Sequence, residues 1–375
     1  MKLESIFLIV VSFWLSIAAR AEDVKIGFVT GITGPIAATV QDLRVVTHAY
    51  VDMINAEGGV NGNRLVLVEK DDGYDPKKTN ALVEEAIVKD KVIGLVNSAG
   101  TAPTIALIKS RTLNRYKIPL VGVFSGSDAL RGLDAEEIFH TRSSYNDEVM
   151  KISRLASTMG LRHIAVLYQD DAFGQSILKS VTEGESKFQL DAFLKVPYKA
   201  GTKDFTEQAN TIIAAKPQAI FLMGVPDSSY QFMKAYSAPQ GASQIYTLSF
   251  VAPKMLASLA GESKIRGMAI SQVVPNPRST NLHFVRDFQQ LVAGAYGKEI
   301  VSSPVTLEAY LNIRLLVTAI KMTGSHPTGE KVMQNLAAMH NFDVGGFTVD
   351  FSGLKRNGSN YLDIAVVGQG ARLQY

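Results

Sequence analysis

The stretch Val24-Lys25-Ile26-Gly27-Phe28-Val29-Thr30-Gly31-Ile32-Thr33-Gly34-Pro35 places an apolar, β-branched run directly before a turn rich in Gly and Thr. The run predicts a strand over 24–29, and Pro35 suits the first turn of a following helix. The same order of strand, polar turn and helix recurs along the chain. This alternation predicts an α/β protein in which helices cover both faces of a parallel sheet.

The predicted strands are too numerous for one doubly wound sheet of this size. They cover residues 24–29, 64–70, 92–96, 119–123, 163–168, 191–198, 219–223, 246–250 and 267–274. We therefore predict two doubly wound parallel-sheet lobes joined by a three-strand hinge. The predicted lobes comprise 22–141 with 276–343 (N-terminal) and 142–275 with 344–375 (C-terminal). Near the end of the chain, 346–351 and 361–368 are predicted to form a hairpin.

Composition narrows the class of protein. The chain has 375 residues, of which 46% are apolar and 19% charged, which is typical of a globular protein with about two domains. The net charge is only +3 and no dense basic run occurs, so nucleic acid is not an expected partner. The absence of cysteine excludes thiolate catalysis, disulfide bonds and cysteine-ligated metal centres.

The N-terminus has the pattern of a secretory signal. Lys2 precedes an apolar segment over 6–18, and Ala19-Arg20-Ala21 ends it with small residues at the positions a signal peptidase needs. The prediction is a signal peptide, 1–21, and export to the periplasm. The alternative, an uncleaved membrane anchor, is less favoured because the apolar segment is shorter than the roughly 20 residues that span a bilayer.

Three turns that follow predicted strands of the N-terminal lobe are rich in hydroxyl groups: 30–35, 97–103 and 124–128. Ligands of open α/β sheets bind outside the carboxyl ends of the strands, where free N–H groups and helix dipoles stabilise anions. We predict that a small carboxylate is held there by Ser98, Ser125, Ser127 and the amides of Gly100 and Thr101. The alternative is that these Ser and Thr residues only cap their helices.

The corresponding turns of the C-terminal lobe, 169–174, 224–228 and 249–251, are acidic and aromatic. They predict that this lobe faces the apolar or cationic end of a ligand, with Asp171 as a contact. The alternative for Asp170 and Asp171 is an N-cap role. Phe173 and Phe250 are predicted to cover the apolar part of the ligand, and Tyr145 is predicted to reach it from the hinge side. With Phe124 they place four rings near the cleft, which favours an aromatic or apolar carboxylate, although such rings also commonly line lobe cores.

Catalytic patterns are missing from the sequence. No Gly-x-Gly-x-x-Gly or P-loop follows a predicted strand, and neither a Gly-x-Ser-x-Gly elbow nor a His-Glu-x-x-His motif occurs. Asp71 and Asp72 are adjacent, but neighbours on a strand point to opposite faces, so they are predicted to form a strand-ending turn. We expect no enzyme activity, no cofactor and no metal site.

Several stretches, in the same order, resemble the type I periplasmic solute-binding proteins of the branched-chain amino acid (Leu/Ile/Val-binding) class of ABC transporters. They are Val24–Phe28 with Thr33–Pro35, Ile54–Gly62, Asp71–Pro76, Tyr168–Gly174 and Gly345–Phe351. The resemblance covers essentially the whole chain after residue 21. It implies that two lobes close on a small solute, and that the closed form docks on ABC permease subunits in the inner membrane.

The resemblance also implies site residues. The family's hydroxyl contact to the ligand carboxylate matches Ser98, and a neighbouring backbone contact matches 124–127. The family's Tyr and Glu, which hold the ligand ammonium in leucine and isoleucine binders, fall near Val225 and Phe250, and neither can accept a salt bridge. Either Asp227 or Asp171 replaces them, or the ligand lacks an ammonium group. The expected function is capture of an amino acid or related small carboxylate; the alternative is a sensing module that signals to a membrane receptor or kinase.

Overall fold

The computed structural model describes residues 23–131, 134–239 and 241–375, so the predicted signal segment lies outside the described residues. Two sheets form the framework. The first has five strands in the order β2-β1-β3-β4-β5, all parallel. The second has seven in the order β14-β13-β10-β9-β8-β6-β7. The predicted α/β class with two sheet-based lobes is confirmed.

The strands and helices alternate through most of the chain. The strands are β1 Asp23–Thr30, β2 Arg64–Asp71, β3 Leu95–Val96, β4 Leu120–Val121, β5 Ile138–Phe139, β6 His163–Gln169, β7 Asp191–Tyr198, β8 Ala219–Met223, β9 Gln244–Thr247, β10 Ala269–Gln272, β11 Phe342–Asp343, β12 Thr348–Val349, β13 Asp363–Val367 and β14 Leu373–Gln374. The helices are α1 Ala37–Ala56, α2 Pro76–Val88, α3 Thr101–Ser110, α4 Thr112–Tyr116, α5 Asp128–Arg131, α6 Tyr145–Thr158, α7 Ala172–Phe188, α8 Thr206–Ala215, α9 Pro226–Ala235, α10 Pro253–Ala260, α11 Glu262–Ile265, α12 His283–Ala293, α13 Pro304–Lys321 and α14 Gly329–Ala337.

The opening stretch forms β1, as predicted. It pairs along its whole length with β2, from Asp23↔Arg64 to Thr30↔Asp71, and its last five residues are buried. Gly27 permits close approach to the next strand, because a Cβ atom there would lie 2.4 Å from a methyl carbon of Leu95. The carboxyl end of β1 therefore lies beside those of β3 and β4, where the predicted binding turns begin.

The predicted hairpin of 346–351 with 361–368 is wrong. Strand β12 pairs antiparallel with β11 through a tight turn in which the Val344 amide donates to the Phe347 carbonyl at 2.8 Å. Strand β13 instead joins the second sheet, antiparallel to β10, from Ala269↔Val366 to Gln272↔Asp363. The long-range pairing covers an edge of β10 that would otherwise expose its backbone groups.

The chain passes between the sheets three times: after β5, after β10 and after β12. The first and third passages meet at a single parallel bridge, His140↔Asn357. The buried Arg131 guanidinium ties them further, donating to the Arg142 carbonyl at 2.7 Å and to the Asn357 side chain at 3.0 Å. Helices α12 to α14, which follow the second passage, belong with the first sheet, since α13 packs on α1, β3 and β4.

Candidate functional site

A small cavity, about 30 Å³ in volume, lies between the carboxyl edges of the two sheets. Its wall is formed by Ile36, Thr39, Tyr74, Ala99, Gly100, Thr101, Phe124, Tyr145, Phe173, Val225, Pro226 and Phe250. Residues of both lobes contribute, so the cavity belongs to the interlobe cleft. This volume holds about one water molecule. A solute of several carbon atoms therefore enters only when the lobes separate or the wall side chains move.

The start of α3 supplies the polar part of the wall. Gly100 precedes the helix with φ +107°. A Cβ atom there would lie 2.6 Å from the Tyr74 ring, so only glycine allows the backbone to come this close to the ring. The first N–H groups of a helix have no intrahelical acceptor. The Thr101 hydroxyl is hydrogen-bonded to that of Ser125 at 2.8 Å, which joins this helix start to the turn after β4.

Buried polar side chains hold the turns of the first lobe in place. Asn97 follows β3 with φ +56°. Its side-chain amide donates to the Thr47 hydroxyl at 2.9 Å, and the Asn312 side-chain amide donates to the Asn97 side-chain oxygen at 2.8 Å. Thr141, at the first passage between lobes, donates to the Asn312 side-chain oxygen at 2.5 Å. All four residues are fully buried. The network connects α1, β3 and α13 to the hinge.

Three of the five aromatic rings on the wall contact one another. The Tyr145 centroid lies 5.4 Å from that of Phe173 and 6.0 Å from that of Phe250, and the latter two are 5.8 Å apart. Tyr145 is placed by a capping box at the start of α6, in which the side chains and backbone amides of Ser144 and Asp147 bond reciprocally. Edge-to-face contacts of this kind stabilise the cluster beyond its apolar burial.

Arg142 lies beneath this wall and is completely buried. Its guanidinium carbon is 4.9 Å from the centre of the Phe124 ring and 5.9 Å from that of Phe250, so it contacts the aromatic wall from both lobes. Its nitrogens lie 3.5 Å from the Glu148 carboxylate and 3.6 Å from that of Glu308. It also donates to the hydroxyl of Ser249, in the turn that follows β9 of the second sheet.

This buried cluster contains two acids and one base. Burial raises the pKa of Glu308 to about 7, although the positive charge of Arg142 opposes the shift. For Arg142, burial disfavours the charged form, but Glu308 and Glu148 outweigh that effect and its pKa is raised. Glu148 is held by the Ser249 amide at 3.0 Å and by the Ser271 hydroxyl. The cluster thus links α13 of the first lobe to α6, β9 and β10 of the second.

Direct contacts join the two lobes beside the cavity. The Ser127 hydroxyl donates to that of Ser176, on α7, at 2.9 Å. Tyr74, in the turn after β2, reaches across to lie beside the Gln169 side chain. Burial, with a smaller contribution from Asp171, raises the pKa of the Tyr74 hydroxyl, which therefore stays protonated. The lobes contact each other directly and form a closed cleft.

The structure brings most of the predicted site residues together. Those on the cavity wall are Gly100, Thr101, Phe124, Tyr145, Phe173, Val225 and Phe250. Those off the wall are Ser98, Ser125, Ser127 and Asp171. Ser98 donates its hydroxyl to the Val29 carbonyl at 2.9 Å, inside the first lobe, because the turn after β3 packs against β1. Ser125 lies behind Thr101, and the hydroxyls of the two residues are hydrogen-bonded.

Asp171 has the capping role that the sequence left as its alternative. Its carboxylate accepts from the backbone amides of Phe173 at 3.0 Å and Gly174 at 3.2 Å, at the start of α7. It also accepts from the side-chain amide of Gln169 at 2.6 Å. These donors leave little capacity for a ligand ammonium. Asp227, the other acidic candidate, does not line the cavity.

Sequence reasoning missed Arg142 and five residues of the wall, namely Ile36, Thr39, Tyr74, Ala99 and Pro226. Tyr74 belongs to the Asp71–Pro76 stretch, which carries part of the family resemblance. Its direction across the cleft, however, depends on the turn that Asp71 and Asp72 form. Their carboxylates accept from Gly73 at 2.9 Å and from Tyr74 at 2.8 Å, which confirms the predicted turn. Arg142 gave no local signal, since a lone arginine in an irregular segment is ordinarily exposed.

Within residues 23–131, 134–239 and 241–375, no group of three or more His, Asp or Glu side chains has a geometry suited to a metal ion. Over the same ranges, the helices lack the length and apolar character needed to cross a bilayer.

A family model described as periplasmic binding protein matches residues 23–371. A Leu/Ile/Val-binding protein of Citrobacter freundii is 27% identical over 259 residues, 66% of this chain and 67% of that protein. A substrate-binding periplasmic protein from Ralstonia solanacearum is 30% identical, with a TM-score of 0.87 over 94% of this chain and 99% of that one. An extracellular ligand-binding receptor from Verminephrobacter eiseniae is 26% identical, with a TM-score of 0.84 over 94% and 100%.

Structures of lower identity share the fold and hold different solutes. A branched-chain amino acid transporter substrate-binding protein from Streptococcus pneumoniae, in complex with isoleucine, is 18% identical with a TM-score of 0.79. A solute-binding protein from R. palustris, in complex with benzoate, is 16% identical with a TM-score of 0.79. The same two-lobed fold therefore accepts amino acids and aromatic carboxylates.

Proposed function

We propose that this chain, which belongs to the periplasmic binding protein family, captures an apolar or aromatic small carboxylate lacking an ammonium group. Members of this family bind solutes outside the cytoplasm without enzymatic activity. The bound form delivers this solute to the permease of an ABC transporter. This proposal is narrower than amino acid uptake in general, and it rests on the chemistry of the cavity wall.

The observation that carries the proposal is the composition of that wall. It combines the start of α3 with five aromatic rings, and none of the described residues that line it is acidic. Backbone N–H groups and the helix dipole favour a carboxylate. A ligand ammonium buried against Val225 and Phe250 would lack a partner, which costs several kcal/mol for a desolvated charge. A keto acid or an aromatic acid avoids that cost.

Closure of the lobes completes the proposed mechanism. We propose the hinge at the three passages, with lobe boundaries near 141, 275 and 343, as the sequence predicted. Ligand contacts with both sheets favour the closed state, so binding shifts the balance between open and closed forms. Gly100 and Thr101 hold the carboxylate from the first lobe, and Phe173 and Phe250 cover the apolar part from the second.

The test uses ligand pairs that differ only at the α-position. Purified protein lacking residues 1–21 is screened by thermal shift with 4-methyl-2-oxopentanoate against leucine, phenylpyruvate against phenylalanine, and benzoate. A ligand bound only by the native state raises the melting temperature. We expect a rise with members of the acid series that lack an ammonium group. A rise confined to leucine and phenylalanine would contradict the proposal.

A matched pair of variants assigns the response to the cavity. Phe250→Leu removes one ring of the wall, whereas Phe193→Leu changes an exposed ring on β7 of the same lobe. We expect Phe250→Leu to weaken binding of the best acid about 10-fold or more, the usual scale for losing one well-packed aromatic contact. Equal binding by both variants would remove Phe250 from the site.

A further inference from the structure

The interlobe cleft contains a second space, about 370 Å³ in volume, next to the aromatic cavity. We call it the basic chamber and define it by Asp42, Lys254, Arg278, Ser303, Arg372 and Tyr375, which lie on its wall. Asp42 lies on α1 and Ser303 is the N-cap residue of α13, both in the first lobe, whereas Lys254 and Arg372 belong to the second lobe. The chamber is thus formed jointly by the two lobes and the passage that carries Arg278.

The basic chamber continues the aromatic cavity along shared elements. Thr39 lines the cavity and Asp42 lines the chamber, and they are three residues apart on α1, a rise of about 4.5 Å. On the opposite side, Phe250 lines the cavity, and Ala252 with Pro253 lines the chamber. The two spaces therefore lie side by side along α1 and along the segment from Phe250 to Pro253.

The charges of the chamber are unbalanced. Lys254, Arg278 and Arg372 carry exposed basic side chains, and none forms an ion pair with any acid among the described residues. Many other surface bases are paired, as Arg44 is with Glu69 at 2.6 Å. Three bases against one acidic side chain leave the chamber wall with an excess of positive charge, and a concave surface with such an excess concentrates anions.

Asp42 is the one acidic side chain on the chamber wall within the described ranges. Burial raises its pKa to about 6, so near pH 7 it is still mostly ionised and offsets one of the three basic charges. It is half-buried at the end of the chamber nearest the aromatic cavity. The bases lie on the second-lobe and hinge sides, and they dominate the potential there.

We propose that the basic chamber binds the second anionic group of an elongated ligand whose first carboxylate lies at the start of α3. The ligand class is an α,ω-dicarboxylate with an apolar or aromatic middle. The middle occupies the aromatic cavity, and the distal carboxylate is held by Arg278 and Arg372 with Lys254 nearby. This inference rests on the proposed function and adds a distal anion to it.

The experiment compares octanoate with suberate, which have the same chain length and differ in the distal carboxylate. Their affinities are measured by isothermal titration calorimetry at 50 mM and 300 mM salt. We expect suberate to bind about 10-fold more tightly at low salt, with a smaller advantage at high salt because exposed charges are screened. Suberate binding no more tightly than octanoate at low salt would overturn the inference.

Two double variants locate the effect. Arg278→Gln with Arg372→Gln removes two bases of the chamber, and Lys89→Gln with Lys109→Gln removes the same charge from exposed first-lobe positions that line neither the cavity nor the chamber. The suberate advantage should disappear in the first and persist in the second. Its persistence in both would contradict the assignment of these arginines.

The outcomes separate this inference from the function on which it rests. If octanoate and aromatic acids bind but suberate gains nothing, the proposed function stands and the distal subsite is wrong. If no carboxylate of either series binds, the proposed function fails and the subsite fails with it.

Discussion

The two lobes present their carboxyl edges to the cleft by different means. In the first lobe, β3, β4 and β5 are two residues long each, and the turns beyond them are held by the buried polar network of Thr47, Asn97, Thr141 and Asn312. In the second lobe, β6 and β8 pair over five positions, and every residue of β8 is buried. Side chains hold the turns after β3 and β4 of the first lobe, whereas the backbone ladder holds β6 and β8 of the second.

The difference corresponds to what each edge offers a ligand. The first edge presents N–H groups and hydroxyls, which must point in fixed directions, and hydrogen-bonded side chains specify direction. The second edge presents aromatic rings, for which packing against an apolar sheet is sufficient. Arg142 contacts both edges, through Phe124 on one side and Phe250 and Ser249 on the other.

The largest effect is expected where the two edges meet. Arg142→Met leaves the Glu148 and Glu308 carboxylates buried without a positive partner, so we expect a loss of about 3 to 5 kcal/mol in the free energy of unfolding. Urea denaturation followed by circular dichroism measures it. Arg162→Met, at an exposed arginine bonded to the Gln189 carbonyl, is the control and should change stability little. A loss below about 1 kcal/mol at position 142 would show that the cluster is not needed for stability.

The second prediction tests the first edge against the second. Asn312→Leu leaves the Asn97 and Thr141 side chains without their partner, and we expect a loss of about 2 to 4 kcal/mol in unfolding free energy. Ser229→Ala removes a buried hydroxyl that donates to the Gly224 carbonyl at 3.1 Å on the second edge, and it should cost only about 1 kcal/mol. Equal losses would remove the contrast between the lobes.

The third prediction concerns pH. The pKa of Glu308 is raised by burial to about 7, against 4.5 ordinarily, so between these values the native state keeps a proton that the unfolded chain has released. The contribution of Glu308 to the free energy of unfolding is therefore fully present below pH 4.5 and falls as the pH rises to 7. Above pH 7 it no longer changes.

Glu308→Gln removes that dependence. Between pH 5 and pH 8 the wild type should lose on the order of 1 to 3 kcal/mol relative to the variant, as measured by urea denaturation at each pH. Asp42, whose pKa is raised to about 6, remains in both proteins, so the difference between the curves isolates Glu308. Parallel curves would contradict the raised pKa of Glu308.

The smallest effect is expected at the contact between the edges. Ser176→Ala removes the acceptor of the Ser127 hydroxyl across the cleft, which should favour the open form by about 0.5 to 1.5 kcal/mol. Small-angle scattering of the ligand-free protein measures the change as a larger radius of gyration. Ser186→Ala, at an exposed position on the same helix, should leave the radius unchanged.

Local patterns predicted most of the architecture. The alternation that starts at Val24 predicted parallel sheets, and the number of strands predicted two of them. The turns after β3 and β4, and the rings of Phe173 and Phe250, were placed at one cleft because the carboxyl ends of parallel strands share an edge. These features depend on sequence spacing alone.

The errors and omissions concern long-range partners. The pairing of β13 with β10 joins residues far apart in sequence, and no local pattern distinguishes it from a hairpin with residues nearby. Ser98 was expected at the ligand, but its hydroxyl is used by the Val29 carbonyl of another strand. Arg142 is buried only because Glu148 and Glu308 reach it from opposite lobes.

The triple passage between the lobes sets the order in which the chain can fold. The first sheet is complete by Phe139, yet its Asn97 amide bonds to the Ala309 carbonyl and its helix α1 packs on α13, more than 200 residues later. The second lobe lies between these segments in the sequence. The N-terminal lobe therefore cannot close its core during early synthesis, and most of the second lobe is able to assemble first.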